Sequence, residues 1–90
     1  MMERVFVKFD IEPLSAADGY AVCEFVDGLP VRQVSVVGDR LVSSLTDSDP
    51  EVGPTLTELP LDADWRTEEP ELQEVDADYF ERLWKQATAN

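Results

Sequence analysis

The chain has 90 residues, 43% of them apolar, and carries twenty acids against seven Lys and Arg, for a net charge of −13. That is one domain with enough apolar side chains to build a core, and its charge repels nucleic acid and anionic membranes. The absence of histidine removes the commonest general base and most transition-metal sites, the lone Cys23 gives neither an intrachain disulfide nor a cysteine zinc cluster, and four scattered glycines form no phosphate loop.

The opening MMERVFVKFD lacks a long apolar run ahead of a small-residue cleavage site, so it does not read as a signal peptide. No apolar run approaches the ~18–20 residues that cross a bilayer, and a cytoplasmic protein is expected. RVFVKFDI (4–11) sets Val5, Val7, Phe9 and Ile11 on one face of a strand, with Lys8 and Asp10 on the other. EPLSAADG (12–19) follows as a loop, then YAVCEFV (20–26) as a strand in which Cys23 is an inert buried thiol. Asp27-Gly28 signals a hairpin, with Pro30 suggesting a loop slightly longer than two residues. VRQVSVV (31–37), the turn Gly38-Asp39 and RLVSSL (40–45) complete a meander.

After Thr46 the character changes. TDSDPEVGP (46–54) reads as a loop. Asp47, Asp49, Glu51 and Glu58 match the ligand spacing of a calcium-binding EF-hand loop, but Val52 stands where glycine is needed and Pro50 and Pro54 interrupt it. Neither metal nor cofactor is expected. TLTELPL (55–61) alternates like a short edge strand that Pro60 ends, and DADWRTEEPELQE (62–74), weakly periodic with Pro70 near its middle, is polar enough for a linker, which would not explain Trp65. The C-terminus is the best-specified element. Asp76 is an N-cap, Val75 and Phe80 form a hydrophobic staple, and Phe80, Leu83, Trp84 and Ala87 make one stripe of a helix over 77–88. Trp84 is its expected buried anchor. These elements predict an α+β fold: a four- to five-stranded, mainly antiparallel sheet with one C-terminal helix packed on one face.

The acids concentrate toward the C-terminal half, which carries −8 against −5 for residues 1–50. The total exceeds the ~2–8 charges that keep a small domain soluble, so a surface directed at a basic partner stands beside simple solvation as an explanation. Asp62, Asp64, Glu68, Glu69 and Glu71 surround Trp65, with Arg66 the only base. Two placements of Trp65 stay open: tucked over the sheet, or standing in an acidic rim as the aromatic centre of a partner-binding site.

VRQVSVVGDRLV (31–42), TLTELPL (55–61) and VDADYFERLW (75–84) resemble a family of small acidic bacterial domains of uncharacterised function. In that family a β-meander with an Arg-x-Val strand and a Gly-Arg-like turn precedes a leucine-glutamate-proline edge, and a Phe-Glu-x-x-Trp helix closes the chain. The resemblance covers residues 20–85; here Asp39 separates Gly38 from Arg40, and the N-terminal third matches less closely. Relatives of this shape are thought of as immunity proteins beside polymorphic toxins. The resemblance implies that role, with a cognate toxin as partner, and it supplies no functional residues; a monomer when free is expected. An acidic adaptor or nucleic-acid mimic for another basic protein is the second hypothesis. A carboxylate-based enzyme is the third and is not expected, because twenty acids produce carboxylate pairs by chance.

Overall fold

Alternating apolar residues and two tight turns dictate most of the architecture. A computed structural model describes residues 3–14 and 18–89. In chain order the elements are β1 (Arg4–Ile11), β2 (Gly19–Val26), β3 (Leu29–Val37), β4 (Arg40–Ser43), β5 (Ser48–Asp49), β6 (Gly53–Pro54), α1 (Trp65–Glu68), β7 (Gln73–Val75) and α2 (Ala77–Thr88). The main sheet is antiparallel, in the order β4-β3-β2-β1-β7, and β5 pairs with β6 as a separate ladder. The fold is α+β, a five-stranded antiparallel meander sheet with a C-terminal helix.

The β2–β3 turn has two residues, not more. Asp27 and Gly28 both take positive φ (51° and 82°), which matches the twist of the flanking strands, and Val26 pairs directly with Leu29. Pro30 is absorbed inside β3 instead: Phe25 pairs with Pro30 and Glu24 with Arg32, leaving Val31 as one bulged residue. A proline is tolerated there because β4 pairs only with Val34–Val37 of β3, so Pro30 has a strand on one side alone.

Side chains alternate across the sheet and both faces are covered. On one face Phe6, Val22 and Val34 pack against Phe80 of α2, whose N-cap Asp76 accepts a hydrogen bond from the Tyr79 amide at 2.8 Å. Val75 and Phe80 join this same cluster, as a staple should. The helix anchor, however, is Phe80 (0% exposed) with its ring 5.3 Å from that of Phe6, while Trp84 stacks behind it at 6.0 Å and stays half-buried. One turn separates the two, enough to move Trp84 to the margin of the contact. Trp84→Ala is therefore expected to cost only about 1–2 kcal/mol in urea unfolding, below the ~3–5 kcal/mol of a fully buried aromatic.

The opposite face buries Val5, Val7, Cys23 and Phe25, and here the cover is an irregular segment, residues 55–72, that contributes Leu56, Leu61, Trp65 and Leu72. Sequence alternation suggested an edge strand over 55–61, but no ladder forms there; the outer strands are β4 and β7. Prolines at 54 and 60 each lack a donor, and the segment attaches through isolated bonds. The Thr57 amide donates to Gln33 Oε1 at 2.9 Å, the Leu61 amide to the Gly28 carbonyl at 2.8 Å, and the Thr55 hydroxyl to the Thr46 carbonyl. The supposed linker 62–74 holds α1 and most of β7, and β7 pairs with Phe6–Lys8 of β1.

Candidate functional site

Trp65 opens α1 and is 3% exposed, packed with Val5, Val7, Cys23 and Phe25. Of its two placements the structure takes the core one, and the picture of Trp65 as an exposed rim anchor is corrected. The physical reason is that the sheet's second face has only the four-residue α1 and no long helix like α2, so the largest apolar group of the cover fills it. Arg66 lies over the indole at 4.5 Å and donates to Glu74 from Nε (3.1 Å) and Nη2 (2.8 Å), tying α1 to β7.

The acids remain around it. Asp62, Asp64, Glu68 and Glu71 are exposed and Glu69 is half-buried. Asp62 and Trp65 line a cleft of about 200 Å³ together with Arg66, Glu3 and Asp27. Those last two were not singled out from the sequence; the start of β1 and the β2–β3 turn bring them together, with the Glu3 amide donating to Asp27 Oδ1 at 2.9 Å. Glu69 lines an adjacent, mainly apolar slot of about 170 Å³ with Phe9, Phe25, Leu61 and Leu72. Asp64, Glu68 and Glu71 line neither.

A second feature the sequence reading missed is an ionic quartet beneath α2. Glu24 is 4% exposed and receives Arg4 Nε at 2.7 Å and Arg32 Nε at 2.6 Å. Arg32 also donates to Glu81 of α2 from Nη1 (3.2 Å) and Nη2 (2.7 Å), and its guanidinium stacks over Phe80 and Trp84 at 4.9 and 5.1 Å. Burial pushes the Glu24 carboxyl up, but the hydrogen bonds from Arg32 and Arg4 outweigh it and hold the group below the usual carboxylate range. The Arg32 hydrogen bond likewise holds Glu81 down. Next door, burial and then the Glu24 charge push the Cys23 thiol up to about 12, so it stays protonated and unreactive.

Two of the acids that mimicked EF-hand spacing, Asp49 and Glu51, do something else. Asp49 accepts the Glu51 and Val52 amides through Oδ1 and pairs with Arg40 at 2.9 Å, while Glu51 reaches the same guanidinium at 3.7 Å. Among the described residues no group of three or more Cys, Asp or Glu side chains is placed to hold a metal, and no helix is long and apolar enough to cross a membrane. The cleft at the Gly19 end of the sheet, about 600 Å³, is lined by Asp10, Glu12, Asp18 and Tyr20. Neither a protein-family model, nor a curated protein, nor a solved structure matches the chain.

Proposed function

We propose that the chain is a cytoplasmic immunity protein that binds a basic cognate toxin and occludes its active site with the acidic face of the 55–72 cover. The observation that carries this reading is how charge is apportioned. Arg4, Arg32, Arg40 and Arg66 are held by the chain's own Glu24, Glu81, Asp49, Glu51 and Glu74. Asp62, Asp64, Glu68, Glu69 and Glu71 form no ion pair among the described residues, and the nearest base, Arg66, is already neutralised by Glu74. The cover thus presents uncompensated anionic groups on a folded support. A toxin that acts on nucleic acid or a nucleotide carries a basic cleft, and such a surface stands in for the phosphates it expects. The resemblance in 31–42, 55–61 and 75–84 points to the same role.

The test is capture of the native partner, its identification by mass spectrometry, and binding kinetics with the purified pair. Reversing Asp62, Asp64, Glu68 and Glu71 together to lysine is expected to slow association by about tenfold or more at low salt, with the difference shrinking at high salt. The dissociation rate should change little, because rim charges act on encounter. The fold should hold or gain stability as self-repulsion falls. Parental association rates at both salt concentrations would remove this face from the interface.

A further inference from the structure

We infer that the slot beside Glu69 receives an arginine side chain of the partner; this rests on the binding role proposed above. Phe9, Phe25, Thr57, Leu59, Pro60, Leu61, Glu69 and Leu72 enclose about 170 Å³. An apolar cavity of about 150 Å³ holds one benzene ring, so the slot takes a single large side chain. Its walls offer two aromatic rings, aliphatic groups and one carboxylate.

Within its own fold the chain surrounds arginines with that same set. Arg32 lies over Phe80 and Trp84 while bonded to Glu24 and Glu81, and Arg66 lies over Trp65 while bonded to Glu74. The slot repeats this chemistry at the surface, and no cation of the described chain lines it. An arginine stem buries its methylenes on such walls while its head reaches a carboxylate at the mouth.

The rim is preorganised. Thr57 is tied to Gln33 and Leu61 to Gly28, so the short stretch between them is held at both ends, and Leu59 in its middle is 76% exposed. Leu59 extends the apolar wall on which the methylenes of an arginine stem can lie. Glu58, Glu69 and Asp62 belong to the same cover, which gives the charge complementarity that selects a cationic occupant over an apolar one.

The experiment titrates isotopically labelled protein with N-acetyl-arginine methylamide and, separately, with N-acetyl-norleucine methylamide, following backbone amide shifts. The arginine probe is expected to move Phe9, Phe25, Thr57, Leu61 and Leu72 saturably, and the norleucine probe to bind at least about tenfold more weakly, since a hydrogen bond to a charged group is lost. Glu69→Gln should weaken the arginine probe by a similar factor while melting like the parent. Equal response to both probes overturns the proposal. So does an arginine response spread as strongly over Asp10 and Asp18 as over the slot, or no response at all. A slot silent to the probe, in a protein whose partner association remains salt-dependent, sinks this inference and leaves the binding role standing. Loss of salt dependence with the slot still responding sinks the acidic-face reading and with it the partner's arginine, and leaves only an arginine-selective slot.

Discussion

Trp65→Ala is expected to lower the unfolding free energy by about 3–5 kcal/mol, as for a fully buried aromatic. The side chain is 3% exposed and packs on Val5, Val7, Cys23 and Phe25, the centre of the sheet face that α2 leaves uncovered. Its neighbours in the cover, Leu56, Leu61 and Leu72, are themselves only partly buried. The irregular backbone from 55 to 72 has no strand ladder to fall back on, so loss of the indole removes the main contact holding it down. For a domain of this size each kcal/mol shifts the melting temperature by about 4–8 °C, which puts the drop on the order of 20 °C. Trp84 remains as a fluorescence reporter on the opposite face. The result also separates the two roles once open to this residue. An exposed partner anchor would leave the melting curve unchanged and raise the dissociation rate, whereas a core residue moves the melting curve itself. A parental melting temperature would mean that the cover is held by something other than Trp65.

What could be read from the residues follows the range over which each signal acts. β1 is bounded by the alternation of Val5, Val7, Phe9 and Ile11, and α2 by its cap, its staple and its stripe; both are local patterns, and both elements occupy the predicted residues. β7 is three residues, Gln73–Val75, too short and too polar to alternate visibly, and it becomes a strand only because β1 offers it an open edge. The 55–61 segment does alternate, yet Leu56 and Leu61, which a strand would place on opposite faces, both reach the sheet face while Leu59 stands out in solvent, so the backbone there is irregular and not a strand. Glu24 escaped notice because its partners lie 8 and 20 positions away. A cue was present: a single acid within YAVCEFV must either interrupt the strand or find cations in phase on the neighbouring strands, and Arg32 and Arg4 stand on those two strands. Trp65 is the opposite case. Nothing local distinguishes a tryptophan that covers a sheet from one that waits for a partner; only the placement of the second face decides it.

Glu24→Gln tests the quartet, and its signature is a dependence on pH. Removing one member of a buried ion pair costs about 3–5 kcal/mol, but Arg4 and Arg32 are partly exposed here and keep Glu81, so about 2–3 kcal/mol is expected at neutral pH. Because hydrogen bonds from the two arginines hold the folded carboxyl below its ordinary value of 4.5, the unfolded chain binds the proton more readily than the folded one. The stabilisation from Glu24 is therefore fully present above pH 4.5 and is lost as the pH falls through the lower, folded value. Glutamine does not titrate. The gap in unfolding free energy between parent and Glu24→Gln should then be flat from neutral pH down to about pH 4.5 and close between there and the lower, folded value. Protonation of the unpaired surface acids relieves self-repulsion in both proteins alike, so it cancels in the difference even though it raises both curves. Urea unfolding of the pair across an acid pH series reads the gap directly. If it keeps its neutral value at the acid end, or widens there, the carboxylate of Glu24 is not what binds Arg4 and Arg32 under α2, and the mutation acts through packing alone.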